Sequence, residues 1–243
     1  MIIKVSFEKT NESYPKHTQT VLNGVVHAIL GKGNKYHDAF SDYSISSIQG
    51  AKMTKDGTIR FPNCAPYFRV ASNNSEFICD FVKGLSTNLR NENVKFYGLM
   101  IDGFDFSDFH NYNNYDVVKT ISPILLKVND RMLTPFDTDN WLEILVEQTK
   151  KKLARAGIVD DTFGMEILYK DSMKMRWVTV GKVNNPATTC CTFKAYGKKE
   201  TRYALCNLGL GNSTGCGFGS IDVCQNNFEK RVASDCCTER CTD

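Results

Sequence analysis

Between Gly209 and Ile221 the chain runs Gly209-Leu210-Gly211-Asn212-Ser213-Thr214-Gly215-Cys216-Gly217-Phe218-Gly219-Ser220-Ile221, five glycines within eleven residues. Glycine loses more conformational freedom on folding than any other residue, so a cluster this dense marks a backbone that needs positive φ or admits another group very closely. Two structures satisfy that demand. Successive N–H groups can form a concavity for phosphate oxygens, or the loop can be a tight bulged turn between strands. No Lys-Ser/Thr pair follows, as a P-loop requires, and no helical pattern follows, as a dinucleotide-binding turn requires. No nucleotide or other cofactor is expected.

The rest of the chain supplies the elements that such a loop must join. Ile2, Ile3, Val5 and Phe7 alternate with polar neighbours, as in a half-buried strand. Pro15 is expected to open a helical segment carrying Leu22, Val25, Val26 and Ile29, which Gly31 and Gly33 end. Thr58–Phe61 and Tyr67–Val70 read as two short strands. Phe77, Ile78, Phe81, Val82 and Leu85 then recur at helical spacing behind a capping Asn74 or Ser75, and residues 94–101 read as a strand. The order β-α-β-β-α-β is the ferredoxin-like plan.

The second half repeats the theme less cleanly. A strand-like run over 118–128 is broken by Pro123, and a helix is expected from Asp139 to Ala156, with Glu147 four residues before Lys151. Strands follow around 164–169, 175–180 and 188–196, with Lys170-Asp171 as a hairpin turn, and a short helix from Lys199 to Leu208 leads into the glycine loop. The fold class is therefore α+β, with two ferredoxin-like (βαββαβ, RRM-like) domains at 1–116 and 117–221 and a Cys-rich acidic tail at 222–243.

Charge is uneven. Twelve Lys/Arg against five Asp/Glu between Lys150 and Arg202 give a local net of +7, whereas three against five from Asp222 onward give −2. A basic patch of this kind suits a phosphate backbone, although runs of charge also occur as solvated surface. Ten cysteines in a chain too long to need staples read mostly as buried thiols. Cys236, Cys237 and Cys241 lie in the polar tail, where Cys237-x3-Cys241 has a spacing compatible with zinc and only Cys224 as a distant companion. There is no run of about 18 apolar residues and the first residues alternate like a strand, so a cytoplasmic protein with no membrane partner is expected.

Four pieces of this sequence, in order, carry a resemblance: Leu22-Asn23-Gly24-Val25-Val26-His27; Tyr36-His37-Asp38 followed by Asp42-Tyr43-Ser44; Ile121-Ser122-Pro123; and Phe193-Lys194-Ala195-Tyr196-Gly197 with the glycine-rich stretch. Together they resemble the CRISPR-associated endoribonucleases of the Cas-six family, within the RAMP proteins, over all but the last twenty or so residues. The resemblance implies tandem ferredoxin-like domains that bind the repeat RNA of a precursor transcript and cut it once per repeat without a metal ion. It also implies that His37 stands where the family carries its catalytic histidine and His27 where one branch carries a tyrosine. That branch has a lysine a few residues beyond the histidine, where this chain has Ala39-Phe40-Ser41.

The chemistry is self-consistent. In RNA the 2′-hydroxyl is the nucleophile: it attacks the adjacent phosphorus and expels the 5′-oxygen, leaving a 2′,3′-cyclic phosphate. The protein must supply a base, an acid and donors for the crowded phosphorane. Histidine suits both proton transfers near neutral pH. His37 is the expected acid or base with His27 as partner, and Lys35 or Lys32 can supply charge or Tyr36 a hydrogen bond. The bland alternative for His27 is a rim residue packed between helix and sheet. RNA contacts are expected from Lys150, Lys151, Lys152, Arg155, Lys170, Lys174 and Arg176, and from Gly209, Gly211, Asn212, Ser213, Gly215, Gly217 and Gly219 of the loop. The resemblance admits other CRISPR-associated proteins as partners, and a homodimer. An inactive repeat-RNA-binding subunit and a zinc or redox protein built on the tail are the competing functions.

Overall fold

The computed structural model describes residues 1–36, 41–107 and 116–224. His37, His110, Ala39 and the tail cysteines Cys236, Cys237 and Cys241 lie outside them. The first half contains β1 (Ile2–Phe7), β2 (Tyr14–Pro15), α1 (Gln19–Leu30), β3 (Tyr43–Ile45), β4 (Lys52–Met53), β5 (Thr58–Arg60), β6 (Tyr67–Ser72), α2 (Ser75–Asn88), β7 (Lys95–Phe96) and β8 (Leu99–Ser107). Its main sheet has the order β3-β6-β1-β8-β7, with every pair antiparallel. Without the short edge strand β7, this is the ferredoxin-like order, the first strand lying between the third and the last.

Burial follows the strand and helix periods. Ile3, Val5 and Phe7 of β1 are buried with Leu22, Val25, Val26 and Ile29 of α1 and Phe77, Phe81 and Leu85 of α2. Asn74 caps α2 as expected: its side chain accepts hydrogen bonds from Glu76 N (2.9 Å) and Phe77 N (3.1 Å), satisfying two donors that the helix itself cannot.

Two expectations for this half are corrected. Pro15 does not open the helix; it sits in β2, paired with β5, and α1 begins at Gln19. A two-residue strand tolerates a residue with no N–H to donate. Thr58–Arg60 is not the partner of β6 either. It joins a small sheet of order β2-β5-β4, and β6 pairs instead with β3. All three residues of β3 are buried, so no alternation marks it as a strand.

The second half contains β9 (Val117–Thr120), β10 (Leu126–Val128), β11 (Arg131–Leu133), α3 (Trp141–Arg155), β12 (Gly164–Ile167), β13 (Lys174–Val180), β14 (Val183–Thr189), β15 (Thr192–Tyr196), α4 (Lys199–Leu208) and β16 (Ile221–Val223). The sheet order β12-β15-β9-β16 repeats the ferredoxin-like plan. Two antiparallel ribbons are inserted, β10–β11 before α3 and β13–β14 between β12 and β15.

The second ribbon corrects the strand assignment. Lys170–Ser172 is a 3-10 turn between strands that do not pair, and the hairpin turn lies between Val180 and Val183. The run from Thr188 to Tyr196 is split by Cys190 at φ +59°. Asp222, assigned to the tail by its charge, lies in β16, where its carboxylate pairs with Arg69 of β6 at 2.9 Å.

The halves share a core. Ile2 of β1 and Ala71 of β6 are buried with Ile221, Phe193, Leu205 and Leu208 of the second half. Polar contacts reinforce the seam: Ser47 N donates to Ser122 Oγ (2.7 Å), Gln49 Nε2 to Ile121 O (3.1 Å) and Ser44 Oγ to Asn207 O (3.0 Å).

Candidate nucleic-acid interface

The glycine loop is the wedge between the halves. α4 ends at Gly209, and the loop closes on itself through Leu210 N to Gly219 O and anchors through Gly219 N to Pro123 O, both 2.8 Å. A Cβ on Gly215 would lie within 3 Å of Ser41 and Tyr43, and one on Gly217 would overlap the Gln19 amide of α1. Thr214 Oγ1 donates to Tyr43 O at 2.9 Å. The loop thus touches the first turn of α1, β3 and the residue just after the segment that carries His37.

This changes the expected role of the glycines. The N–H groups of Gly209, Gly217 and Gly219 donate to Leu205 O, Thr214 O and Pro123 O, so they do not form a phosphate concavity. Gly209, Gly211, Gly215, Gly217 and Gly219 are all buried. Asn212 is a splice: its N–H donates to Leu125 O and its side chain accepts from Lys127 N, both 2.7 Å. Ser213 is the exposed one of the seven loop positions. Close packing, rather than anion binding, accounts for the glycine density.

Lys152 is likewise corrected. Unlike its neighbours Lys151 and Arg155, which are exposed, it is buried, and its ammonium donates to Leu208 O, Gly209 O and Thr214 Oγ1 at 3.4 Å each. It therefore holds the end of α4 and the glycine loop. Burial pushes its pKa down to about 7 from 10.5. Between those values the unfolded chain binds the proton and the folded one does not, so stability rises with pH above 7 and is flat below it. In urea unfolding, the wild type should gain roughly 2 kcal/mol relative to Lys152→Met on going from pH 7 to pH 9. An unchanged difference would mean that the lysine is hydrated in the folded state.

Lys151 and Arg155 are exposed on α3, and Lys150 is half-buried near Glu147 (3.7 Å). Glu147 therefore pairs with the residue three positions on, where the sequence spacing favoured Lys151. Lys170, Lys174 and Arg176 are exposed. Lys174 and Arg176 stand on the β13–β14 ribbon, whose turn reaches the first half: Gly181 N donates to Thr20 Oγ1 of α1 at 3.0 Å. Ribbon, α1 and glycine loop thus meet. His27 lies half-buried in the last turn of the same helix.

Lys35 and Tyr36 are turned toward α2. The Lys35 ammonium pairs with Glu76 and approaches Asp80 at 3.6 Å, and Tyr36 Oη donates to Asp80 at 2.8 Å. The Glu76 hydrogen bond holds Lys35 above the usual lysine range. Burial and the Asp80 contact push the Tyr36 phenol up to about 12. At neutral pH Lys35 is a cation and Tyr36 a neutral donor, so neither can act as a general base there. Sequence reasoning missed Gln19, Ser41 and Tyr43 as the seats of the glycine loop, because nothing local marks a residue that another domain will cover.

Residues 107–223 match the family model described as CRISPR associated protein Cas6, C-terminal. Over that stretch the chain is similar to the C-terminal part of the Cas6 family. That match runs from the end of β8 through the glycine loop to β16. Among solved structures, a CRISPR associated protein Cas6 is 22% identical, with 93% of this chain and 99% of that one covered and a TM-score of 0.73. A RAMP protein described as binding different RNA substrates is 18% identical, with 93% and 100% covered and a TM-score of 0.75. A Cas6-related protein from Pyrococcus furiosus is 18% identical, with 93% and 99% covered and a TM-score of 0.74. These likenesses show the shared tandem ferredoxin-like fold. No curated protein matches the chain. Among the described residues, no helix is long and apolar enough to cross a membrane.

Proposed function

We propose that this protein acts as a Cas6 does: it binds the repeat RNA of a CRISPR precursor transcript and cuts within each repeat, without a metal ion, by attack of the 2′-hydroxyl on the adjacent phosphorus. His37 serves as general acid or base with His27 as partner. Lys35, held cationic by α2, supplies positive charge near them, and Tyr36 a hydrogen bond. Lys150, Lys151, Arg155, Lys170, Lys174 and Arg176 hold the phosphate backbone.

The observation that carries this reading is the seat of the glycine loop. The family's C-terminal signature packs against Ser41, Tyr43 and Gln19, so the second domain is braced against the two elements that flank His37 and carry His27. A binding surface and a catalytic segment on different domains need such a brace, because misplacing reacting groups by about 1 Å costs on the order of a hundredfold in rate.

Incubating the protein with end-labelled repeat RNA in excess EDTA tests the proposal. The expected result is one cut per repeat, leaving a 2′,3′-cyclic phosphate and a 5′-hydroxyl. Intact RNA that is nevertheless retarded on a native gel would instead support a binding subunit without activity, which Ala39-Phe40-Ser41 at the position of the branch's lysine favours.

A further inference from the structure

Five residues, His37 to Ser41, separate Tyr36 from Asp42 in the sequence. Both of those neighbours are held by one helix. Asn74, the cap of α2, and Phe77 and Asp80 within it stand three residues apart, so they lie above one another on neighbouring turns. On the near side, Tyr36 Oη donates to Asp80 Oδ2 at 2.8 Å, and the Tyr36 ring meets Phe77 edge-on with centroids 5.0 Å apart. The approach to Tyr36 is fixed as well. Tyr36 N donates to Asn34 Oδ1 at 3.1 Å, and Asn34 Nδ2 donates to Gly31 O, at the end of α1, at 2.9 Å.

On the far side, Asn74 Nδ2 donates to Asp42 Oδ2 at 2.5 Å and Ser72 Oγ to Asp42 O at 2.9 Å. Tyr43 lies flat on the same Phe77 that Tyr36 meets, with centroids 4.2 Å and planes 11° apart. Consecutive Cα atoms are about 3.8 Å apart. A fixed Tyr36 therefore sets where His37 starts, and a fixed Asp42 limits where the stretch can run. The Asp80 side chain is 40% exposed, and an ion pair or hydrogen bond so open to water contributes little to stability. What this carboxylate fixes is the direction of Tyr36.

We infer that Asp80 and Phe77 of α2 are positioning residues for His37: they seat Tyr36 and so aim the imidazole that follows it. The inference rests on the reading of His37 as general acid or base given above. Asp80 acts through Tyr36 rather than through contact with RNA. The Tyr36 hydroxyl proton is committed to Asp80, so the hydrogen bond that Tyr36 supplies is the one that ties down the segment.

Asp80 is the residue to change, because Phe77 is wholly buried and its loss would weaken the fold itself. In single turnovers at saturating repeat RNA, Asp80→Ala should cut roughly tenfold to a hundredfold more slowly than wild type, with RNA affinity within a few-fold. Asp80→Asn should recover most of the rate, since its side-chain oxygen still accepts the phenol proton. Tyr36→Phe should lose as much as Asp80→Ala, and the double variant no more than either, because the two groups act through one contact. The pH profile should keep its wild-type position in all of them, and the Asp80 variants should melt within about 4 °C of wild type. A wild-type rate in Asp80→Ala would overturn the positioning role and leave the cleavage reading standing. So would additive losses in the double variant, which would route the effect through Lys35, a displaced pH profile, which would mean that the carboxylate acts on the His37 charge directly, or a rate loss that only follows unfolding. Wild-type protein that leaves repeat RNA intact would overturn both.

Discussion

His37→Ala should slow single-turnover cleavage of repeat RNA by about 10²- to 10⁴-fold while leaving RNA affinity within a few-fold of wild type. Proton transfer to or from the reacting oxygens is the step the variant loses, whereas binding depends on cations elsewhere. The pH profile separates the candidate groups. Histidine titrates near neutrality, so a rate limb there should vanish with His37. The Tyr36 phenol, pushed up to about 12, contributes no limb in that range, and Tyr36→Phe should lower the rate without moving the profile. A His37→Ala protein that cuts at the wild-type rate would remove His37 from the mechanism.

Gly219→Ala should lower stability by about 3 kcal/mol or more and take repeat-RNA cleavage down with it. Gly219 sits at φ +61°, and an added Cβ would lie 1.8 Å from Leu210 O, a backbone atom in the same closed loop. A left-handed φ is strained for alanine, and no side-chain rotation can relieve a collision with a carbonyl. Displacing Leu210 would break its hydrogen bond to Gly219 O and loosen the anchor to Pro123 O. For a chain of this length the midpoint of thermal unfolding should fall by roughly 6–12 °C. Gly164→Ala is the control: an added Cβ at Gly164 meets nothing within 4 Å, and its midpoint should stay within about 2 °C of wild type. Equal midpoints in the two variants would show that the loop does not brace the domains.

Much of this was legible before the structure, and the reasons are specific. α2 and α4 show in the sequence because a helix buries one stripe, so Phe77, Phe81 and Leu85, or Ala204, Leu205 and Leu208, recur at its period, and Asn74 announces a cap. The order βαββαβ was reached in the first half by counting Thr58–Phe61 as its second strand, a place that β3 takes. β3 was not legible, since a strand covered on both faces loses its alternation. The β13–β14 ribbon was misjoined for a related reason: local pattern marks strands but not their partners.

The candidate site divides in the same way. Lys150, Lys151 and Lys152 are identical in type and adjacent, yet one is sealed beneath α4 and the glycine loop while Lys151 faces solvent. Helical phase alone separates them by about 100° per residue, but which phase is covered depends on where a segment some fifty residues later comes to rest.

By itself the sequence determined that the chain is α+β, with two halves that each carry two helices among strands, that its basic residues cluster in the second, and that residues 209–219 must admit something very close. What comes close was decided by tertiary structure alone. It is Ser41, Tyr43 and Gln19 of the other domain, and Leu125 and Leu210 of the loop's own surroundings. Glycine density records a steric demand at each position, and a steric demand carries no information about the identity of the neighbour. That identity is set only where the two sheets pack together and leave the loop between them.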